Sequence, residues 1–247
     1  MSAVPGAADG SRVRAFADLH CHSSASFDSL ASPRALVEKA VRIGLTHLAI
    51  TDHERIDGAL RARDLAPDGL TVIVGEEVRT DAGDLIGLFL EEAVPPGMSP
   101  VETAAAIHAQ GGLVGLPHPF DRFRASGGDR AGEEDAALAR LAAAVDYVEI
   151  HNARAYGSAN PRAAAFAARH ALPGTASSDA HSVMELGVAT TVLPGAFHDA
   201  AGLRALLPAA TIMPGRASFI LRAWTPCAKL VNRARGNVRI RPAGAVA

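Results

Sequence analysis

The chain has 247 residues, enough for one large α/β domain with a well-filled core and slightly short for two domains. Hydrophobic residues make up 49% of the chain and aromatic residues only 4%, so we expect a core of aliphatic side chains. The formal net charge of −2 argues against a general polyanion-binding surface, but it is compatible with a phosphorylated small substrate, because a metal can supply local positive charge.

The sequence shows no sign of export or membrane insertion. Cys21 and Cys227 lie far apart and give no disulfide framework. No apolar segment approaches the ~18 residues of a membrane span. Residues 1–12 lack the apolar stretch of a secretory signal, and we expect them to form a mobile leader. A soluble cytoplasmic protein is the expectation.

The first half of the chain alternates strands and helices. A strand ending near Leu19 leads to His20 and His22, and Ser32-Pro33 predicts a helix start with Gly44 as its end. Strands are predicted at residues 46–51 and 71–78. A further strand at 84–90 follows a turn short enough for a hairpin. A helix at 100–109 then precedes the strand that ends at His118.

The second half continues the alternation less regularly. Residues 121–134 form a polar loop, either a plain solvated connection or a substrate-facing lid. Helices are predicted at 136–144, 160–170 and 200–207, and a strand at 187–193. Residues 218–231 predict an amphipathic helix that precedes four arginines, Arg233, Arg235, Arg239 and Arg241. We expect a docked helix with a frayed basic tail, with a nucleic-acid contact as the alternative. The predicted organisation is a leader at 1–12, a barrel domain at 13–215, and a helix with a basic tail at 216–247.

Six apolar runs each end in His, Asp or Glu. These ends are His20 with His22, Asp52-His53, Glu76-Glu77, His118, His151, and Asp179 with His181. A barrel of parallel strands produces this pattern when the rim at the carboxyl ends of its strands carries the chemistry. The sequence therefore predicts an α/β fold, a TIM-like barrel with a polar rim.

The rim residues are of types that bind metals. His20 and His22 would point to the same side of a strand, which favours a shared cation over an accidental pair of surface histidines. Imidazoles and carboxylates suit Zn²⁺, Mn²⁺ or Fe²⁺. The candidate ligands are His20, His22, Asp28, His53, Glu77, His118, His151, Asp179 and His181. This set could hold two or three metals, an arrangement that favours hydrolysis at phosphorus.

The motifs together resemble the PHP (polymerase and histidinol phosphatase) superfamily of metal-dependent phosphoesterases. The resemblance extends from Asp18 to about Leu193. It rests on these elements: His20-x-His22, Thr51-Asp52-His53, Gly75-Glu76-Glu77, Pro117-His118-Pro119, Glu149-Ile150-His151-Asn152 and Ser178-Asp179-Ala180-His181. It implies a distorted (β/α)₇ barrel with a trinuclear metal site.

The resemblance also implies which ligands share a metal. His20, His22, Glu77 and Asp179 would surround one ion. Glu77 would bridge to a second ion held with His118 and His151, and Asp28, His53 and His181 would hold the third. Some members have histidine where Asp28 stands. Many phosphatases of the family carry a histidine in the hairpin after Glu77, where this chain reads Gly83-Asp84-Leu85-Ile86-Gly87.

The expected reaction is attack by metal-activated hydroxide on a phosphomonoester or nucleotide-type substrate. Catalysis would depend on His20, His22, Glu77 and Asp179. Arg154 is the candidate to bind a substrate phosphate, because guanidinium matches phosphate bidentately; the alternative is an ion pair with a nearby carboxylate. Glu76 is expected to point away from the rim, and Asp52 to orient a neighbouring ligand or to lie on the other face.

Three other functions fit parts of the pattern. An amidohydrolase also places His-x-His after its first strand, but its usual bridging lysine has no counterpart here, since the only lysines are Lys39 and Lys229. A non-catalytic, metal-stabilised barrel would be expected to have lost some of its metal ligands, whereas all nine candidate positions here carry residues able to bind a metal. A nuclease acting on short oligonucleotides stays open, whereas the charge disfavours long nucleic acids. The expected partner is a small phosphorylated substrate, and the sequence leaves the oligomeric state undefined.

Overall fold

The structure, a computed structural model, describes residues 14–121 and 141–242. Over these residues, helices flank a nine-stranded sheet. The strands are β1 (Ala15–Asp18), β2 (His47–His53), β3 (Thr71–Thr80), β4 (Gly83–Leu88), β5 (Leu113–Leu116), β6 (Tyr147–Asn152), β7 (Gly174–Ser177), β8 (Thr190–Leu193) and β9 (Thr211–Met213). The helices are α1 (Pro33–Arg42), α2 (Asp57–Leu65), α3 (Pro100–Ala109), α4 (Ala159–Arg169), α5 (Ala200–Leu206), α6 (Phe219–Arg222) and α7 (Trp224–Ala234).

The sheet curls into a nearly closed barrel. Its strand order is β7-β6-β5-β4-β3-β2-β1-β8-β9. The pairs β1–β2, β2–β3, β5–β6 and β6–β7 are parallel. A parallel bridge between Cys21 and Ala180 joins the chain after β1 to the chain after β7. The predicted barrel fold is thus confirmed.

One hairpin interrupts the βα alternation. β4 runs antiparallel to both β3 and β5, and the pair Thr80–Gly83 closes a tight turn between β3 and β4. The hairpin was predicted from the polar turn. Because no helix separates β3 from β4, the elements do not form seven uniform βα repeats.

Local sequence signals explain where the helices begin. The Ser32 side chain accepts a hydrogen bond from the Ala35 N–H at the start of α1, and Pro33 occupies the first turn. At the start of α3, Ser99 and Glu102 form a capping box. Gly44 follows α1 with a φ of 78°, a conformation that glycine adopts without strain.

An apolar layer lies beneath the polar rim. One buried cluster consists largely of strand residues, among them Ala49 and Ile73. Ala49 lies on the same face of β2 as His53, and Ile73 on the same face of β3 as Glu77, because alternate residues share a face. A second cluster packs α1 and α2 against the sheet. The barrel therefore has a dry core that carries polar side chains at the carboxyl ends of its strands.

The carboxyl-terminal part departs most from prediction. The single helix expected at 218–231 is two helices, α6 and α7, which meet at Ala223. Pro226 in the first turn of α7 lacks an N–H, so a continuous helix would lose a hydrogen bond there. The strands expected at 84–90 and 187–193 are shorter, and the helix at 200–207 ends at Leu206.

Some predicted segments lie outside the described residues. They include the leader at 1–12 and most of the polar loop at 121–134. The predicted helix at 136–144 is seen only at residues 141–144, which are helical. Within the described ranges, every helix is too short or too polar to cross a lipid bilayer.

Candidate metal centre

Eight of the nine candidate ligands lie together at the carboxyl-terminal side of the strands. Their positions are as follows: His20 and His22 follow β1, Asp28 lies in the loop to α1, His53 ends β2, Glu77 lies in β3, His118 follows β5, and Asp179 and His181 follow β7. Since parallel strands end at one edge of a barrel, these side chains meet. All of them are 9% exposed or less.

Glu77 lies at the centre of the cluster and contacts four imidazoles. Its Oε2 atom is 3.4 Å from Nε2 of His20, 3.3 Å from Nε2 of His22 and 3.3 Å from Nδ1 of His53. Its Oε1 atom is 3.2 Å from Nε2 of His118. A carboxylate with both oxygens engaged in this way is suited to bridge two cations.

His20 and His22 direct ring nitrogens at each other. Their Nε2 atoms are 3.1 Å apart, and Oδ1 of Asp179 lies 3.6 Å from the first and 3.4 Å from the second. Two nitrogens and two carboxylate oxygens thus converge within contact distance, counting Oε2 of Glu77. Lone pairs that converge in a buried space repel one another unless a cation or protons lie between them. This donor set fits a divalent metal ion.

A second set of ligand atoms surrounds Asp28. Its Oδ2 atom is 3.3 Å from Nε2 of His53 and 3.3 Å from Nε2 of His181. Nδ1 of His181 lies 2.8 Å from the Asp179 carbonyl oxygen, to which it donates as an N–H. That hydrogen bond leaves the Nε2 atom of His181 as the nitrogen that could bind a metal.

The ligand atoms form three overlapping groups, in each of which they lie within 4.8 Å of one another. The groups are His22, Asp28, His53 and His181; His20, His22 and Asp179; and His20, Glu77 and His118. The chain thus contains clusters able to bind metal, and the clusters share residues. Eight of the nine candidate ligands take part in them.

The surroundings set the protonation of the cluster. Burial lowers the pKa of an imidazole, but Glu149 and Glu77 outweigh burial and raise the pKa of His20 to about 10. For His22 burial dominates and lowers the pKa to about 3. Burial alone would raise the pKa of Glu77, but His53 and His20 hold it well below its usual value.

Glu149 and Asn152 support the cluster and were not among the predicted site residues. Glu149 accepts hydrogen bonds from the His118 backbone N–H at 2.9 Å and from the Asn152 amide at 2.9 Å, and its Oε1 is 3.1 Å from Nδ1 of His20. The Asn152 amide also donates to Asp179 at 3.0 Å. The sequence did contain a sign of this role: Glu149 is a carboxylate within an apolar strand, and a buried carboxylate requires a hydrogen-bonding or charged partner.

His151 is the candidate that the structure does not bring to the cluster. Its Nε2 atom is 2.8 Å from the Gly215 carbonyl, and its Nδ1 atom contacts Asn160. The prediction rested on the end of an apolar run and on the family resemblance, but the β6–β7 register shifts between Glu149 and His151. Glu149 faces the site instead of His151. The expected pairing of His151 with His118 around one metal is corrected accordingly.

Arg154 adjoins the site but is already engaged by protein groups. Its Nη1 donates to Oε1 of Glu185 at 2.8 Å, and its Nη2 donates to Oγ1 of Thr225 at 2.8 Å. Oε2 of Glu185 accepts the His181 backbone N–H at 3.1 Å. The ion pair that the sequence left as the alternative is therefore present, and it supports the His181 loop.

Glu76 and Asp52, the acidic residues next to the candidate ligands Glu77 and His53, point away from the cluster. Glu76 accepts the Val94 N–H at 2.7 Å, on the opposite face of β3 from Glu77. Asp52 accepts both the backbone N–H and the hydroxyl of Ser23, each at 2.6 Å. These bonds hold the turn that follows His22. Asp52 thus positions the loop that carries a candidate ligand, which is the first of the two roles expected from the sequence.

The backbone is strained at two of the candidate ligands. His118 has a φ of 28° and Asp179 a φ of 51°, both in the left-handed region that non-glycine residues rarely adopt. Such conformations persist only where surrounding contacts hold them, and they concentrate at functional sites. Here the Glu149 carboxylate fixes the His118 N–H, and the His20 carbonyl accepts the Asp179 N–H at 2.8 Å.

A cavity of about 760 Å³ adjoins the cluster. Asp28, His53, Glu77 and His181 reach it from the metal-binding side, and α6 and α7 supply part of the opposite wall. The cluster is thus buried but accessible to a small molecule from one side.

Comparisons with known proteins agree with this geometry. Residues 18–151 match the profile of the PHP domain, and residues 157–211 match that of a PHP-associated segment. The uncharacterised protein MJ1587 of Methanocaldococcus jannaschii is 37% identical over 148 residues, which are 56% of this chain and 81% of the relative. The error-prone DNA polymerase of Mycobacterium bovis is 37% identical over 131 residues, 48% of this chain but only 12% of the polymerase.

Among solved structures, a two-domain protein of Bacteroides vulgatus containing a predicted PHP-like metal-dependent phosphoesterase has the same fold. The TM-score is 0.67 at 19% identity, and the likeness covers 82% of this chain and 65% of that one. At such low identity the likeness bears on the fold alone. Since the PHP profile covers more than half of the sequence and the candidate ligands meet at the rim of the barrel, the chain belongs to the PHP family.

Proposed function

We propose that this protein is a metal-dependent hydrolase that cleaves the phosphoester bond of a small phosphorylated substrate, a phosphomonoester or a nucleotide-type ester. The observation that carries the proposal is the position of Glu77. It contacts four imidazoles and also reaches the cavity of about 760 Å³. The proposed metal-binding side chains therefore lie next to a cavity that can hold a substrate.

The donor set suits two or three divalent ions, Mn²⁺, Zn²⁺ or Fe²⁺. His20, His22, Glu77 and Asp179 would hold one ion, and Asp28, His53 and His181 another. A third position beside Glu77 and His118 has fewer protein ligands without His151, so we propose that it binds more weakly. When bound, such ions activate a water molecule for attack on phosphorus and neutralise charge on the phosphoryl oxygens.

The residues of the chain orient the site and restrict access to it. Glu149 fixes the ring of His20 through Nδ1, and the Asp179 carbonyl fixes the ring of His181. Burial of these groups strengthens every charge interaction among them, because little water screens them. The chain thus supplies a rigid, dry base for the reaction, and the substrate enters from the cavity.

Two observations support a small substrate over a long nucleic acid. The cavity is bounded on one side by α6 and α7, and the net charge of the chain is −2. Proteins that bind long polymers usually carry an extended basic surface, since most of their affinity comes from phosphate contacts. The arginines of the predicted basic tail are partly used within the molecule, as Arg239 pairs with Glu54.

A hydrolysis screen tests the proposal. The purified protein, supplied with Mn²⁺ or Zn²⁺, is assayed for phosphate release from phosphomonoesters, nucleoside bisphosphates and short oligonucleotides. We expect release that a chelator abolishes and that His20→Ala lowers at least ~10²-fold, as for loss of a catalytic metal ligand. His108→Ala is the control, because His108 pairs with Asp146 on the surface. Full activity of His20→Ala, or hydrolysis of amides or carboxylic esters alone, would contradict the proposal.

A further inference from the structure

Five cationic side chains line the cavity: Arg79, Arg154, Arg222, Lys229 and Arg239. Three of them are paired with carboxylates. Arg79 lies 3.3 Å from Asp84, Arg154 lies 2.8 Å from Glu185, and Arg239 lies 2.6 Å from Glu54. Their charges are largely balanced by the protein itself.

Arg222 and Lys229 differ from the other three. In the part of the chain that the structure describes, neither forms an ion pair. Arg222 donates one hydrogen bond, from Nη2 to the Ala153 carbonyl at 2.9 Å, and its Nε has no hydrogen-bond partner among those residues. Its guanidinium carbon lies 4.2 Å from the centre of the Tyr156 ring. Nζ of Lys229 lies 5.2 Å from the centre of the Phe27 ring. Both cations thus contact aromatic rings in the cavity wall and retain donors for an anion.

The two residues belong to a segment that neither family profile covers. The profiles end at residue 211, whereas Arg222 ends α6 and Lys229 lies in α7. The segment is nevertheless fixed to the metal-binding side. The Asn232 amide donates to the carbonyls of Ser26 and Ser29, at 3.2 and 2.9 Å, in the loop that carries Asp28. α7 is therefore a wall of the site with a defined position.

We infer that Arg222 and Lys229 form an anion-binding subsite for a second negatively charged group of the substrate, apart from the phosphoester at the metal cluster. The inference rests on the proposed function, since it names the class of substrate: a phosphoester with a further phosphate or carboxylate. The rings of Phe27 and Tyr156 would contact the part of the substrate between the two charged groups. The carboxyl-terminal segment would then determine substrate specificity, and the metal cluster at the rim of the barrel would cleave the ester.

The cations are placed where such a group would fit. Tyr156, which Arg222 overlies, is 43% exposed, whereas the cluster residues His20 and Glu77 are 0% and 1% exposed. The subsite therefore lies toward the mouth of the cavity, and the metal-binding groups lie at its base. A substrate that spans the two must carry charge at both ends.

Binding of non-hydrolysable probes tests the subsite. Protein loaded with Mn²⁺ is titrated by calorimetry, in buffer of the same Mn²⁺ concentration, with α,ω-alkylene bisphosphonates of three to six carbons, with ω-phosphonocarboxylates, and with alkylphosphonates of the same lengths. We expect at least one doubly charged probe to bind about tenfold or more tightly than its alkylphosphonate counterpart, as one or two charged hydrogen bonds provide. The better of the two doubly charged classes identifies the second group as phosphate or carboxylate.

Variants assign the effect to the two residues. Lys229→Met and Arg222→Leu should each lower the preference for the doubly charged probe at least about fivefold, and Lys229→Arg should retain it. The same substitutions at Lys39 and Arg235, outside the cavity wall, serve as controls. Equal binding of singly and doubly charged probes, or an unchanged preference in both variants, would overturn the inference. Because the probes are not hydrolysed, this outcome is distinct from failure of the hydrolysis screen, which would contradict the proposed function.

Discussion

Nδ1 of His20 lies 3.1 Å from Oε1 of Glu149, and both side chains are buried. A metal-binding histidine whose second nitrogen donates to a carboxylate has a fixed ring orientation and greater basicity. The same carboxylate also accepts the His118 N–H at 2.9 Å, so one strand residue positions two candidate ligands. The candidate metal centre is thus supported by β6 as well as by the residues that could bind the cations.

Glu149→Gln is expected to weaken metal binding. The substitution keeps the shape of the side chain but removes the charge that stabilises His20, and losses of about 10- to 100-fold in affinity are usual for such partners. Competition with a chromophoric chelator measures the affinity. The matched control is Glu91→Gln at an exposed position. An affinity equal to that of the unmodified protein would show that Glu149 has no role in orienting His20.

Glu76 and Glu77 offer a direct comparison between two adjacent carboxylates. Glu77→Gln removes the charge that contacts four imidazoles and should lower the rate of phosphate release at least about 100-fold. Glu76→Gln, on the opposite face of β3, should leave the rate within about twofold, since glutamine can still accept the Val94 N–H hydrogen bond. Steady-state kinetics at saturating Mn²⁺ measure both. Similar losses in the two variants would contradict the assignment of faces.

Glu76 should make the stability of the metal-free protein depend on pH. Burial raises the pKa of Glu76 to about 8 from its ordinary 4.5. The folded protein therefore holds this proton until about pH 8, whereas the unfolded chain releases it near pH 4.5. Stability conferred by the protonated form is present at low pH and lost as pH rises through this range, by roughly 3–5 kcal/mol in total.

Urea unfolding at pH 5 and pH 8 checks this expectation. Glu76→Gln should reduce the difference between the two pH values, because glutamine does not ionise. Glu38→Gln, at an exposed position of α1, controls for the change in net charge. If the free energy of unfolding of Glu76→Gln changed with pH as strongly as that of the unmodified protein, Glu76 could not be its source.

Gly58→Ala should destabilise the loop after His22. An added Cβ would overlap the Asp52 carboxylate and the Ser23 hydroxyl, and these two groups form the hydrogen bonds that hold this loop. Overpacking at such a site costs about 1–3 kcal/mol. Thermal unfolding measures the loss. Gly195→Ala is the control, because a Cβ there would make only ordinary contacts at 3.6 Å. Equal melting temperatures for the two variants would contradict the close packing.

The sequence predicted the parts of the site that depend on strand ends. His53, Glu77 and His118 follow or end apolar runs, and parallel strands bring such ends together whatever the details of packing. The hairpin between β3 and β4 could also be predicted from the sequence, because turn residues determine backbone conformation locally. Eight of the nine predicted ligands accordingly fall into the three groups that could hold a metal ion.

The remaining features depend on strand register and tertiary packing, which the pattern of apolar and polar residues does not determine. At the register shift in β6, Glu149 reaches the cluster and the predicted ligand His151 does not, and a bulge of this kind is set by the neighbouring strand. The path of the chain after residue 211 is a matter of tertiary packing. Asn232 and Arg239 acquire their roles only when that segment meets the Ser26–Ser29 carbonyls and Glu54. Arg222 and Lys229 could not be recognised as cavity residues before that path was known.

Metal content tests the central claim most directly. Protein incubated with Mn²⁺ or Zn²⁺ and then desalted is analysed by elemental mass spectrometry, beside Glu77→Gln treated identically. We expect about two tightly held divalent ions per chain, with a third lost more easily, and fewer ions in the variant. Protein that retains no metal under these conditions, or a variant that retains as much as the unmodified chain, would contradict it.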